Sequence, residues 1–434
     1  VTERADPAVA AAVADAHRRE WAFVLAATVR VTRDLDLAEE CVQDAYAKAL
    51  ATWAPDAVPA NPGAWLTTVA RRRALDLARR GATARRALPL LVSDEVAPDE
   101  VASAPRAGEP DIPDDRLRLV FTCCHPALSE DARVALTLRL MCGLSTSEVA
   151  RAFLVNEPTM AARITRAKKK ISTAGIPYRV PPVDELPTRL DAVLNVVHLL
   201  FSTGHAPPAG DQLVRPDLVS RALDLAGMLR ALLPGHPEVT GLLALILLTD
   251  ARRAARLRDG RLVLLADQDR RLWDAEAITT GTALLRSALR QGSPGQAGTG
   301  QGAPGQGSPG RFTLMAAIAA VHDEARDPAD TDWREIVALY DLLVRAWPSP
   351  VVKLNRAAAV GFADGPAAGL AALDVLGAEP RLAGYGYLPA ARADFLARLG
   401  RTDEARLAYQ EALLLTENEV ERTFLAERLG SLNG

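Results

Sequence analysis

Apolar and polar positions alternate at helical spacing along most of this chain, most clearly between Gly143 and Ile171. Met160, Ile164, Ala167 and Ile171 fall at i, i+4, i+7 and i+11, one face of an α-helix. Thr159, Arg163, Arg166 and Lys170 repeat that spacing on a different face, with Lys168 and Lys169 beside them and no acid between Arg163 and Lys170. Upstream, Ser145 and Glu148 form a capping box that starts a shorter helix with Val149, Ala150 and Phe153 on its inner side. Asn156 is the expected N-cap of the second helix, with Pro158 in its first turn. The pair predicts a helix-turn-helix whose apolar stripe packs while the other meets phosphates and base edges in a major groove. The plainer alternative is a solvated basic helix end.

The same reading predicts helices at Ala8–Val31, Asp34–Leu50 and Ala64–Arg80. His17 and Trp21 lie on the packing side of the first. The second begins with Asp34, Asp36, Glu39, Glu40 and Asp44, acids that a helix N-terminus favours in their own right. In the third, Arg71, Arg72, Arg73, Arg79 and Arg80 crowd around the apolar stripe of Leu66, Ala70, Ala74 and Leu77, with Asp76 the only acid among them, which points to a phosphate partner. Trp53 or Trp65 could stack on an unpaired base, although Trp65, beside Leu66 and Val69, reads more simply as core. Further helices are expected at Leu117–Cys124, Ser129–Met141, Leu190–Phe201, Leu218–Leu233, Val239–Leu257, Trp273–Leu289 and Thr313–His322.

Composition narrows the function classes. A chain of 434 residues holds two or more domains, and a net charge of −3 confines any nucleic-acid footprint to local patches. Four cysteines suit a reducing, cytoplasmic setting. The longest apolar run, Leu242–Leu248, is too short to span a bilayer, and no targeting signal is visible. Neither a phosphate-binding loop nor a dinucleotide fingerprint occurs, and six scattered histidines offer no catalytic pair, so no enzyme activity and no cofactor are expected. Cys123, Cys124 and His125 invite a metal reading, but no partner pair completes four ligands, so buried thiols are the expectation and no metal site is assigned.

Two stretches carry a family resemblance. Asp36–Tyr46 (DLAEECVQDAY) and Asn61–Arg80 (NPGAWLTTVARRRALDLARR) resemble the sigma2 domain of extracytoplasmic-function RNA polymerase sigma factors, and the helix-turn-helix resembles their sigma4 domain. The resemblance implies that Asp36, Glu39, Glu40, Gln43 and Asp44 dock on core RNA polymerase. It implies that Asn61, Trp65, Arg71, Arg72, Arg73, Arg79 and Arg80 hold the melted minus-ten strand of promoter DNA. Thr159, Arg163, Arg166, Lys168, Lys169 and Lys170 would then meet the minus-thirty-five element, the arginines reading bases and the lysines mainly phosphates.

The expected architecture is all-α: a sigma2 domain at 1–86, an acidic flexible linker at 87–114, a sigma4 domain at 115–176 and a proline-rich hinge at 177–187. A C-terminal domain at 188–434 follows, interrupted by a Gly/Gln/Pro insertion at 291–310. Phe121–Leu128 (FTCCHPAL) and Arg189–Gly204 (RLDAVLNVVHLLFSTG) resemble a subfamily with such an extension, and Trp333–Tyr340 and Leu399–Tyr409 resemble tetratricopeptide repeats. Stacked helix pairs leave a groove for a protein partner, and a regulatory role is expected for this domain, bracing or partner-responsive rather than masking the recognition helix. The competing reading is a helical-repeat regulator that binds duplex DNA without sigma activity, which would need neither the acidic helix nor the strand-melting loop.

Overall fold

A computed structural model describes residues 6–54, 57–87, 115–153, 155–182, 184–292 and 308–432. The expected acidic linker and Gly/Gln/Pro insertion lie almost entirely outside these residues. Among them the fold is all-α, with eighteen α-helices and only two-residue strands. The chain divides into two compact units, Val1–Val196 and Val197–Gly434.

In the first unit, α1 (Pro7–Thr32) is the central helix. Asp6 caps it by accepting from Ala8 N at 2.8 Å, and Pro7 occupies its first turn, where no hydrogen bond is lost. Val24 through Val29 are all buried, since α2 (Leu35–Thr52), α3 (Pro62–Ala87) and α4 (Asp115–Cys123) each pack against this helix. Asp34 caps α2 through Asp36 N and Leu37 N, and Asn61 Oδ1 accepts from Ala64 N at 3.0 Å at the start of α3.

The helix-turn-helix follows. Ser129 caps α5 (Glu130–Leu136), which widens into a π turn over Thr137–Met141 before Gly143. The capping box closes as expected: Glu148 N donates to Ser145 Oγ and Ser145 N to Glu148 Oε2, starting α6 (Thr146–Ala152). Asn156 caps α7 (Glu157–Thr173), whose Met160, Ile164, Ala167 and Ile171 are all buried. Between α7 and α8 (Leu186–His205), the tyrosine hydroxyl of Tyr178 lies 2.9 Å from Ala26 O and 3.2 Å from Asp115 O, and Pro181 is buried.

The second unit continues with α9 (Pro216–Leu232), α10 (Pro237–Asp250), α11 (Ala275–Gln291) and α12 (Arg311–Glu324), α10 packing on both α11 and α12. The helix expected over Val239–Leu257 stops at Asp250 instead. A short hairpin pairs Leu257–Arg258 with Arg261–Leu262, and Asp259 and Gly260 between them adopt φ of 53° and 76°, the left-handed conformation that a two-residue turn demands. From α13 (Trp333–Ala346) through α14 (Pro350–Ala363), α15 (Pro366–Asp374), α16 (Tyr387–Arg398), α17 (Thr402–Leu415) and α18 (Glu419–Ser431), each helix packs on its chain neighbour. Buried Asn418 donates to Pro207 O and Gln212 O, tying the end of the unit to its beginning.

Candidate nucleic-acid interface

The acidic helix α2 carries two kinds of carboxylate. Asp36, Glu40, Gln43 and Asp44 are exposed, and Asp44 accepts from Arg73 Nε at 2.8 Å. Glu39 is different, with its side chain only 6% exposed. Lys168 Nζ donates to Glu39 Oε2 and, at 2.6 Å, to Asp36 Oδ1. Arg139 Nη2 approaches Glu39 Oε1 to 2.9 Å, an ion pair without an aligned hydrogen bond. Burial pulls the Lys168 ammonium down, but Glu39 and Asp36 outweigh it and hold its pKa above the ordinary lysine value.

Lys168, grouped with its neighbours as a phosphate contact in the sequence reading, is thus paired with acids in this arrangement and only 11% exposed. Arg163 is also engaged: Nη1 lies 3.2 Å from Asp131, and the guanidinium sits 5.4 Å from the Phe153 ring centroid. Both residues flank the buried stripe of α7, about 70° to either side of its centre at about 100° per residue. Thr159, Arg166, Lys169 and Lys170 lie farther round and are exposed.

The α3 residues divide similarly. Arg72, Arg79 and Arg80 are exposed, with Arg79 4.0 Å from Asp76. Arg71 and Arg73 are half-buried, and Arg71 Nε donates to Ala27 O at 3.4 Å. Trp53 is buried, so it has no face for a base in this arrangement; half-buried Trp65 meets its ring edge-on at 5.5 Å. Asn61 spends one oxygen capping α3 and lines a cavity of about 370 Å³ with Ala16, Arg19, Glu20, Pro59, Ala60 and Pro62.

Cys123 and Cys124 are buried. Burial pushes both thiols up, Cys124 to about 11, and its Sγ lies 3.6 Å from Thr137 Oγ1. Such thiols are poor thiolate ligands or nucleophiles. Arg139, absent from the sequence-derived set, is the addition that only the fold supplies.

Comparison with known proteins accords with this layout. Sigma-70 region 2 matches residues 17–84, Sigma-70 region 4 matches residues 118–171, and a family of unknown function (DUF6596) matches residues 189–289. The ECF RNA polymerase sigma factor SigK of Mycobacterium ulcerans (strain Agy99) is 32% identical over 141 residues, covering 32% of this chain and 72% of SigK. SigK of Mycobacterium tuberculosis (strain ATCC 25618 / H37Rv) is 30% identical over 167 residues, 37% of this chain and 84% of SigK. A protein of Rhizobium meliloti (strain 1021) described as uncharacterized is 40% identical over 409 residues, 94% of this chain and 93% of its own length. No solved structure matches.

An acidic helix, an arginine-rich helix and a helix-turn-helix, matched in order by regions 2 and 4, place the chain in the sigma-70 family of RNA polymerase sigma factors. Within it the chain belongs with the ECF sigma factors, DNA-binding initiation factors whose partners are core RNA polymerase and promoter DNA. Among the described residues, no helix is long and apolar enough to cross a membrane.

Proposed function

We propose that α2 docks on core polymerase through Asp36, Glu40, Gln43 and Asp44, with Glu39 joining once its cations are displaced. In this reading Asn61, Trp65 and the arginines of α3 (Arg71, Arg72, Arg73, Arg79, Arg80) hold the melted minus-ten strand, and the cavity beside Asn61 is of a size to take an unstacked base. Thr159, Arg163, Arg166, Lys169 and Lys170 of α7 meet the minus-thirty-five groove. The observation that carries the reading is the sorting of exposed charge: acids on α2, cations on the outer faces of α3 and α7. An acidic face is repelled by DNA yet complementary to a basic protein surface.

The test is run-off transcription from genomic promoter fragments with purified core polymerase. Glu40→Lys combined with Gln43→Lys lowers core affinity at unchanged helix content; unchanged affinity removes the docking assignment. Arg166→Ala shifts promoter choice, since a bidentate arginine–base contact is worth about 1–3 kcal/mol of discrimination. A uniform loss across promoters would mark Arg166 as a phosphate contact.

For the second unit we propose a regulatory, non-enzymatic role exercised through a protein partner, with the tetratricopeptide-like array from α13 onward as its platform. A cavity of about 770 Å³ between α13, α14 and α15 supports this: apolar Leu342, Val375 and Leu376 line it together with Arg345, Lys353 and Arg356. Arg356 is paired with Asp341 at 2.5 Å, leaving a net positive lining that suits an acidic, apolar-studded peptide. Arg345→Glu with Lys353→Glu abolishes the response of transcription to the second unit if the groove is used, and leaves it intact if the array only braces the first.

A further inference from the structure

We infer that Glu20 decides which base the cavity beside Asn61 accepts: one that carries an exocyclic amine, to the exclusion of thymine. The inference rests on the reading of that cavity as the pocket for an unstacked minus-ten base, and it names the chemistry that the pocket selects. The cavity lies where α1 passes the start of α3, and its polar lining consists of Arg19, Glu20 and Asn61 between alanine and proline walls. Gly63 makes that closeness possible, since a Cβ there would collide with the Glu20 carboxylate. Glu20 is half-buried, and its carboxylate has no hydrogen bond or ion pair among the described residues. Arg19, by contrast, is held by Asp15. Asn61 accepts from Ala64 N through Oδ1 at 3.0 Å, which turns the amide so that Nδ2 is left to donate.

These groups impose a pattern on the ligand. No lining residue is aromatic, so a base held here gains little from stacking and is sorted by its edge. A carboxylate only accepts, and the Asn61 amide nitrogen only donates. Adenine and cytosine match that pair, with the exocyclic amine toward Glu20 and the neighbouring ring nitrogen toward Asn61. Guanine matches it too, offering its ring N–H and its amine to the two carboxylate oxygens and O6 to the amide. Thymine has one N–H set between two carbonyl oxygens, so meeting Glu20 brings a carbonyl against a carboxylate oxygen. Two acceptors then face each other without a donor, the kind of mismatch by which a site rejects a ligand. A carboxylate also repels the phosphates of the strand, so Glu20 favours binding only through a donor on the base. The plainer role, a carboxylate near the N-terminus of α3 that stabilises the helix, predicts no difference between bases.

The experiment uses the full chain with purified core polymerase and promoter templates premelted across the minus-ten element, in which each non-template position carries each of the four bases in turn. Run-off output is the readout. Wild type disfavours thymine about tenfold at one position, within the range that one well-placed polar contact supplies. Glu20→Gln keeps the shape of the side chain but lets its amide donate to a thymine carbonyl, so the penalty at that position falls to about twofold or less while the order at other positions stays. Glu20→Asp, which keeps the acceptor, keeps the direction of the preference. The ratio between bases is read within each variant, so a partial loss of fold cancels from it. Thymine discrimination retained in Glu20→Gln, or an equal loss of output on all four bases, overturns the proposal, and the second outcome marks Glu20 as a helix-terminus carboxylate. Failure of the underlying reading looks different: wild-type output is then indifferent to the base at every minus-ten position, and the assignment of Glu20 falls with it.

Discussion

Glu39 belongs to an acidic run whose exposed members are proposed to meet another protein, yet its own carboxylate is enclosed by two cations. A buried carboxylate deprived of a partner keeps its desolvation cost. Lys168→Met is therefore expected to destabilise the first unit by about 1–3 kcal/mol. Asp36→Asn should cost under about 0.5 kcal/mol, because Asp36 is 74% exposed and its pairing is screened by water. Urea unfolding of the two variants checks the order, and equal losses would mean that Glu39 stays hydrated. In the sequence Glu39 reads as one acid of the docking face, because the inner side of this helix is ambiguous there; the fold places it about 20° from Tyr46 and 40° from Leu35, both buried, at about 100° per residue. Which cations enclose it is not legible either, because Lys168 is 129 residues away and no local pattern records a contact at that distance.

At the scale of elements, periodicity worked where one face is buried and one is wet. α7 satisfied its apolar stripe, its Asn156 cap and its first-turn proline together, so its sequence leaves little choice of register. It worked less well after Asp250. The apolar run predicts a longer helix, whereas the chain turns through a hairpin at Asp259-Gly260, two residues past that helix's expected end. Close helix packing in the last array was also invisible in the sequence, because small residues mark close approach only once the neighbour is known. A Cβ on Gly361 of α14 would fall 2.1 Å from Phe395 Cζ of α16, and Gly369 of α15 faces the same ring. Gly361→Ala should destabilise the second unit by about 1–3 kcal/mol or more through overpacking, even though alanine favours helices. Thermal unfolding of that variant, with Phe395→Leu added to make room, separates the effects: partial recovery in the pair identifies the clash.

At the scale of the whole chain, the second unit has taken its ionisable groups inside, with consequences at acid pH. Burial holds His198 down to about 4, assisted by Arg311, and His205 to about 3, assisted by Arg256, Arg252 and Arg253. Burial likewise holds His322 to about 4, with Arg252 and Arg270 beside it, and lowers His236. Groups with depressed folded-state values contribute stability that is present above the unfolded histidine pKa of about 6.5 and lost as pH falls below it. Asp323 works in the opposite sense. Burial raises it to about 7 despite Arg252 at 3.4 Å, so the folded state takes up its proton first and gains stability as pH falls towards about 4. Around pH 5 these histidines bind protons on unfolding while Asp323 releases its own, with Asp250 and Glu421, which burial also raises, on the same side as Asp323. Where the histidines outnumber the carboxyl groups, the stability of the second unit falls as pH falls, by about 1.4 kcal/mol per pH unit for each proton of net uptake. Melting temperatures between pH 7 and pH 4.5 measure the slope. Asp323→Asn removes the opposing proton and should steepen it by about one proton's worth, whereas a flat profile from pH 7 to pH 5 would mean that the histidines are charged and hydrated in the folded protein.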